Sequence, residues 1–285
     1  MNQRKREIYF HVGLPKTAST FLQKRVFPRL KGIKYLKKHE FDRYRRLLSR
    51  SAADKILLSF EFHPHPENPG SERRIKEIQE DFPVVYPIIV LRKHGAWLRS
   101  KYKYFLRKHG SLTLEAYTDP KHPRGAKIRR NLYFFPLLDQ LERAFGHPPL
   151  VLLHQELREH PQQSIGLLAQ FMNVDVEMEK IDFSPVKTAY TERQLKWVRQ
   201  FNRAFPYHKD AAQPKYLKKP HQKWHQLLLH STALAGRFLP ELNPETPLYH
   251  ESRIQYVDSL YEADWKKCLE YARRQRQQMG IEEPG

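Results

Sequence analysis

Ile8-Tyr9-Phe10-His11-Val12-Gly13-Leu14-Pro15-Lys16-Thr17-Ala18-Ser19-Thr20 passes from an apolar stretch through a Gly/Pro turn into a cluster of hydroxyls. Residues 8–12 are β-branched and aromatic, as in a buried strand, and Gly13 and Pro15 close the run. From Ser19 onward Phe21, Leu22, Val26 and Leu30 recur at helical spacing, so the stretch reads as strand, loop, helix. The first N–H groups of a helix lack intrahelical acceptors, and its dipole favours an anion there. Lys16 adds a cation, and Thr17, Ser19 and Thr20 add hydroxyls, so the loop suits a phosphate that gathers charge during group transfer. The plainer reading of the same residues is a helix capped by Ser19 or Thr20 beside a solvated lysine.

Outward from this loop the pattern alternates. Residues 56–60 form a second apolar strand, followed by a Pro- and His-rich loop over 63–70 and a charged helix over 71–80. A third strand over 86–91 starts near Pro87, because proline lacks a ladder donor, and ends at Arg92. Helices over 96–108 and 132–145, a strand over 150–153 and a helix over 161–172 continue the alternation. The pattern predicts an α/β fold: a P-loop-like central parallel β-sheet flanked by helices.

After Asp182 only helical patterns remain, over 191–205, 222–234 and 252–276, which makes the C-terminal third largely helical. The last carries Val257, Leu260, Tyr261, Trp265, Cys268, Leu269 and Ala272 on one side as a core stripe. No repeat, low-complexity run or Gly/Ser linker divides the 285 residues, so a single domain over 1–285 is expected.

The formal charge of +20, from 51 Lys and Arg against 31 Asp and Glu, attracts anions: nucleotides, acidic glycans, nucleic acid or lipid headgroups. The apolar run at 8–12 is too short for a secretory core, and no segment reaches a membrane span. Cys268, the one cysteine, leaves no intrachain disulfide framework and no thiolate metal cluster, and a cytoplasmic location fits.

The obvious competitor for the loop is a P-loop kinase acting on a small molecule. Its Gly-x-x-x-x-Gly-Lys-Ser/Thr pattern is not met: Lys16 stands three residues after Gly13 with no glycine before it. Nor does the 86–91 strand lead into a magnesium-binding Asp; Arg92 follows it, which suits a second phosphate better than a metal. A basic nucleic-acid-binding protein is the third reading, and it leaves the loop and Arg92 unexplained.

Pro15-Lys16-Thr17-Ala18-Ser19-Thr20 after an apolar strand resembles the 5′-phosphosulfate loop of the sulfotransferases that use 3′-phosphoadenosine-5′-phosphosulfate (PAPS). Arg92 at a strand end with Ser100 eight residues later resembles that family's 3′-phosphate motif. The stretch from Leu150 through Gln155-Glu156-Leu157 to His160-Pro161 resembles a third, structural motif. The family commonly has Gly where Ala18 stands, and an acidic or amide residue with Pro where this chain has Lys93-His94-Gly95.

The resemblance implies a PAPS-dependent sulfotransferase that moves a sulfuryl group to a hydroxyl or amine, releases adenosine-3′,5′-bisphosphate and requires no metal. It assigns Pro15, Lys16, Thr17, Ala18, Ser19, Thr20, Arg92 and Ser100 to the donor. Phe21 is a candidate adenine contact that fits core packing better, and His154 is another. Lys16 would stabilise the leaving oxygen. Glu61, just past the second strand, is the expected base, with His63 as runner-up. Lys215, Lys218 and Lys219 are candidates to complete the phosphate pocket. His63, His65, Glu61 and Glu67 invite a metal reading, but Pro64 and Pro66 constrain that loop. The acceptor has no readable signature; the basic charge suits an acidic glycan, and no specific nucleic acid is expected.

Overall fold

The computed structural model describes residues 6–37, 40, 43–61, 69–184, 190–207 and 215–280. Its strands are β1 (Glu7–Gly13), β2 (Leu30–Lys31), β3 (Lys34–Leu36), β4 (Lys55–Glu61), β5 (Val85–Leu91), β6 (Leu150–Leu153) and β7 (Asp175–Val176). Five of them form one sheet in the order β3-β4-β1-β5-β6, and every neighbouring pair is parallel. Parallel neighbours require crossovers, which the helices Tyr44–Ser49, Pro69–Asp81 and Phe135–Phe145 help to supply. From β1 the sheet extends to β4 on one side and to β5 on the other, so β1 is its switch point. In open α/β sheets, ligands bind outside the carboxyl ends of strands at such a point.

Alternation along each strand sorts its side chains between two faces. Tyr9, Leu57, Ile88, Val90, Leu150 and Leu152 pack with Leu22, Val26, Phe27, Leu157, Ile165 and Leu168 in one buried cluster. On the opposite face Phe10 meets Phe145 edge-on, with ring centroids 6.1 Å apart. These buried rings and branched chains supply the main force holding the sheet, at about 1.5–3 kcal/mol for each fully buried large side chain.

The chain divides into two compact units of interleaved segments. The first comprises Met1–His94, Asn131–Val186 and Leu260–Gly285, and contains the sheet. The second comprises Gly95–Arg130 and Lys187–Ser259 and is helical among the described residues. Within it Asn202 Nδ2 donates to the carbonyls of Leu106 and Gly110, both at 2.8 Å, tying a helix end to the following loop. Helix Glu192–Ala204 begins with a capping box in which Thr191 and Gln194 satisfy each other's backbone N–H groups.

Three expectations need correction. The helix read from Ser19 is one α-turn, Ser19–Phe21, followed by a π-turn over Leu22–Val26 and a 3-10 turn over Phe27–Arg29. Pro28 has no N–H for the α-helical ladder, and the chain passes straight into β2. The single helix over 252–276 is two, Glu251–Leu260 and Glu262–Gln278, broken at Tyr261, and Leu260 is exposed. The third strand begins at Val85 rather than Pro87, and Pro87 is opposite Phe10. The central parallel sheet, its flanking helices and the helical character after Asp182 are as expected.

Candidate functional site

The loop after β1 is shaped by two hydroxyls turned inward. Thr17 Oγ1 donates to the Leu14 carbonyl at 2.8 Å and Ser19 Oγ to the same oxygen at 3.0 Å. Thr17 and Ser19 are buried, so both hydroxyls brace the turn. Two residues adopt left-handed backbone, Lys16 with φ 71° and Ala18 with φ 67°. That conformation costs an L residue roughly 1–2 kcal/mol, and glycine is the residue that occupies it freely. Ala18 also stands at the N-cap of the first helical turn, and its carbonyl accepts from the N–H groups of Phe21 and Leu22 at 2.8 and 3.2 Å. Lys16 and Thr20 are half-buried. Because the α-helical segment is a single turn, its dipole is weaker than a regular helix would give.

Glu61 is the last residue of β4 and is in register with Gly13, the last of β1. A Cβ on Gly13 would stand 2.9 Å from Glu61 Cγ and 3.2 Å from the Phe60 carbonyl oxygen. The Glu61 stem therefore lies over the start of the loop, in space that only glycine leaves open. Two residues earlier on the same face, His11 Nδ1 and Ser59 Oγ share a 2.8 Å hydrogen bond, and Gln23 Nε2 donates to Ser59 Oγ at 3.0 Å. His11 and Ser59 are fully buried. Burial lowers the His11 pKa to about 3, so the imidazole is neutral. Its Nε2 has no partner among the described residues.

β5 delivers the third group. Arg92 follows its last residue, and its guanidinium donates to the Lys16 carbonyl at 3.2 Å. His154, the first residue of the helix after β6, also feels Arg92: burial first, then the charges of Arg92 and Arg158, lower its pKa to about 4. The turn beyond Arg92 is anchored by His94, buried and stacked between Phe134 and Tyr261 at 4.7 and 5.3 Å. His94 Nε2 is 3.1 Å from Asp264 Oδ2, and the same carboxylate accepts from the N–H groups of Phe134 and Phe135.

No family model matches the sequence, and no curated protein matches it. Among solved structures, a sulfotransferase from Alicyclobacillus acidocaldarius superposes with a TM-score of 0.51 at 16% identity, covering 69% of this chain and 92% of that one. The fold is a sulfotransferase fold. The mouse sulfotransferase SULT7A1 complexed with PAP is a more distant match, with a TM-score of 0.39, 15% identity and 63% of each chain covered.

On this sulfotransferase fold the residues singled out from sequence fall into three groups. Pro15 to Thr20, Glu61, Arg92 and His154 belong to the first unit, with the loop, Glu61 and Arg92 joined by the contacts above. Phe21 is half-buried, packs against the core cluster and lies 6.3 Å from the Phe183 ring. Ser100 is half-buried on helix His94–Leu106, in the second unit. His63, His65 and Glu67 lie outside the described residues. Lys215, Lys218 and Lys219 belong to helix Lys215–Ala235 in the second unit. Glu156, from the third motif, takes a bidentate pair from Arg276 at 3.0 and 2.6 Å, a structural tie between helices. Among the described residues no three His, Cys, Asp or Glu side chains gather as a metal-binding group.

The inward polar set His11, Ser59 and Gln23 was not singled out from sequence. The available signal was a histidine and a serine at matching places in two otherwise apolar strands, two residues before Gly13 and Glu61.

Proposed function

We propose that the protein is a PAPS-dependent sulfotransferase, with both units serving one transferase domain. The observation that carries this reading is the meeting of three strand ends: the β1 loop, the Glu61 stem over Gly13, and the Arg92 guanidinium on the Lys16 carbonyl. The cationic groups and the braced turn at the switch point of a parallel sheet fit a doubly phosphorylated donor, and the carboxylate beside them suits the acceptor's proton.

In this reading the acceptor oxygen or nitrogen attacks sulfur in line, its bond to sulfur forms, and the bond from sulfur to the bridging phosphate oxygen breaks. Lys16 neutralises charge on the departing oxygen of adenosine-3′,5′-bisphosphate, and the Glu61 carboxylate takes the acceptor's proton. Arg92 holds the ribose 3′-phosphate. Thr17 and Ser19 act chiefly as braces, since both hydroxyl protons point to the Leu14 carbonyl. Holding the 5′ end then falls to Lys16, Thr20 and the loop N–H groups. In this reading Lys16 supplies the positive charge at the departing oxygen, and the step calls for no metal.

An acidic glycan suits the +20 chain as acceptor. The one cysteine, Cys268, is buried with its thiol pKa pushed up chiefly by that burial, so it is an inert core residue, consistent with cytoplasmic residence. The test is a transfer assay with labelled PAPS across acceptor classes. Glu61→Gln is expected to retain bisphosphate binding and lose transfer; full transfer in that variant would refute Glu61 as base.

A further inference from the structure

Helix Lys215–Ala235 is apolar on two sides. Its inner side, with Leu229 and Ala233 fully buried and His225 nearly so, packs on helix Glu192–Ala204. Gln194 Nε2 donates to the Ala233 carbonyl at 2.8 Å, and Trp197 Nε1 donates to the Pro240 carbonyl at 3.0 Å. A Cβ on Gly236 would stand 3.2 Å from Gln194 Cα, so the two helices approach closely where the longer one ends. The inner side is thus fixed.

The outer side carries Trp224, Leu227, Leu228 and Leu234, exposed by 65, 55, 51 and 57%. At about 100° per residue these four fall within an arc of about 120°. The chain then turns through Gly236, and Phe238 stands 89% exposed just beyond. Isolated exposed apolar residues are ordinary, but four along one side of a helix, a Trp among them, with an exposed Phe three residues past its end, mark a surface that associates with something.

Charge points to the occupant. From Lys215 to Pro240 the sequence has five Lys or Arg and no Asp or Glu. Lys223 and Arg237, next to Trp224 and Phe238 in the chain, are exposed. Burying this surface against a second copy of the chain would bring like charges together across a twofold axis. Nucleic acid would leave three leucines without a stacking role. A cationic helix with Trp and Leu along one side and a Phe just past its end matches the interface of a bilayer rich in anionic headgroups. None of the described helices is long and apolar enough to cross a membrane, so the helix would lie in the plane of the surface.

We infer that the exposed side of helix Lys215–Ala235, with Phe238, docks the protein onto an anionic lipid surface. This goes beyond the sulfuryl-transfer reading and does not depend on it.

The test is co-sedimentation of the full chain with phosphatidylglycerol/phosphatidylcholine vesicles and with phosphatidylcholine vesicles alone, beside the variant Trp224→Ser/Leu228→Ser/Phe238→Ser. Wild type should partition onto the anionic vesicles and much less onto the neutral ones, and the triple variant should lose about tenfold in partitioning. The three side chains are exposed, so the variant should melt with wild type; Trp224→Phe supplies a second reading if it does not. Brominated lipid in the anionic vesicles should quench wild-type tryptophan fluorescence, and Trp224→Phe should remove most of that quenching. Wild type failing to bind, the triple variant binding as wild type, or quenching unchanged in Trp224→Phe would each overturn the inference. So would a wild-type dimer that the triple substitution dissociates and that ignores vesicles.

Discussion

Gly13→Ala probes the contact on which the base depends. The new Cβ would stand 2.9 Å from Glu61 Cγ, 3.2 Å from the Phe60 carbonyl oxygen and 3.3 Å from Glu61 Cα. Ordinary contact begins near 3.4 Å, so Glu61 Cγ must retreat by about 0.5 Å. Two of the three atoms are backbone of β4, in register with β1, and give little; the side chain of Glu61 gives most. Overpacking of this kind costs about 1–3 kcal/mol of stability. A displacement approaching 1 Å in a reacting group costs about a hundredfold in rate. The variant should therefore fold with a moderately lowered Tm and bind adenosine-3′,5′-bisphosphate nearly as wild type, while kcat for sulfuryl transfer falls between tenfold and a hundredfold. Thermal unfolding, bisphosphate titration and initial rates with saturating acceptor separate the three quantities. A folded Gly13→Ala protein with wild-type kcat would show that the Glu61 stem takes no part in the chemistry.

Three further outcomes follow from geometry already described. Ala18→Gly relieves a left-handed alanine at φ 67° and should raise stability by about 0.5–1 kcal/mol in urea titration, after the extra chain entropy of glycine is deducted; a loss would mean that the Ala18 methyl contributes packing. His154 has a folded pKa of about 4, below its unfolded value, so the unfolded state binds more protons in between and stability should fall as pH drops from about 6.5 to 4. Arg92→Gln removes a cation beside that ring, so the NMR-detected pKa of His154 should rise; an unchanged value would place Arg92 away from it.

Much of the sheet was legible because β1, β4, β5 and β6 are runs of branched and aromatic residues closed by turns or charge. β2, β3 and β7 escaped notice because two or three residues carry no period. The π-turn at Leu22–Val26 was hidden because Phe21, Leu22, Val26 and Leu30 keep an α-helical spacing while Pro28 interrupts the hydrogen-bond ladder. The break at Tyr261 was hidden for a related reason: Val257, Tyr261, Cys268 and Ala272 all remain buried across it, so the apolar stripe continues through two helices.

At the site, Lys16, Glu61 and Arg92 were readable as polar residues where strands end. The His11, Ser59 and Gln23 set was not, since it depends on the register of β1 against β4, which no single strand reveals. The inward turn of Thr17 and Ser19 was equally unreadable, because a hydroxyl's choice between a ligand and the Leu14 carbonyl is made by the backbone around it.

The central claim, that the β1 loop and Arg92 together grip one doubly phosphorylated nucleotide, is tested most directly by calorimetric titration of the protein with adenosine-3′,5′-bisphosphate and, separately, with ATP and magnesium. The account predicts one bisphosphate bound per chain, weakened at least tenfold by Lys16→Ala and by Arg92→Gln, with no comparable ATP binding. Preference for ATP with magnesium, or bisphosphate affinity untouched by both substitutions, would contradict it.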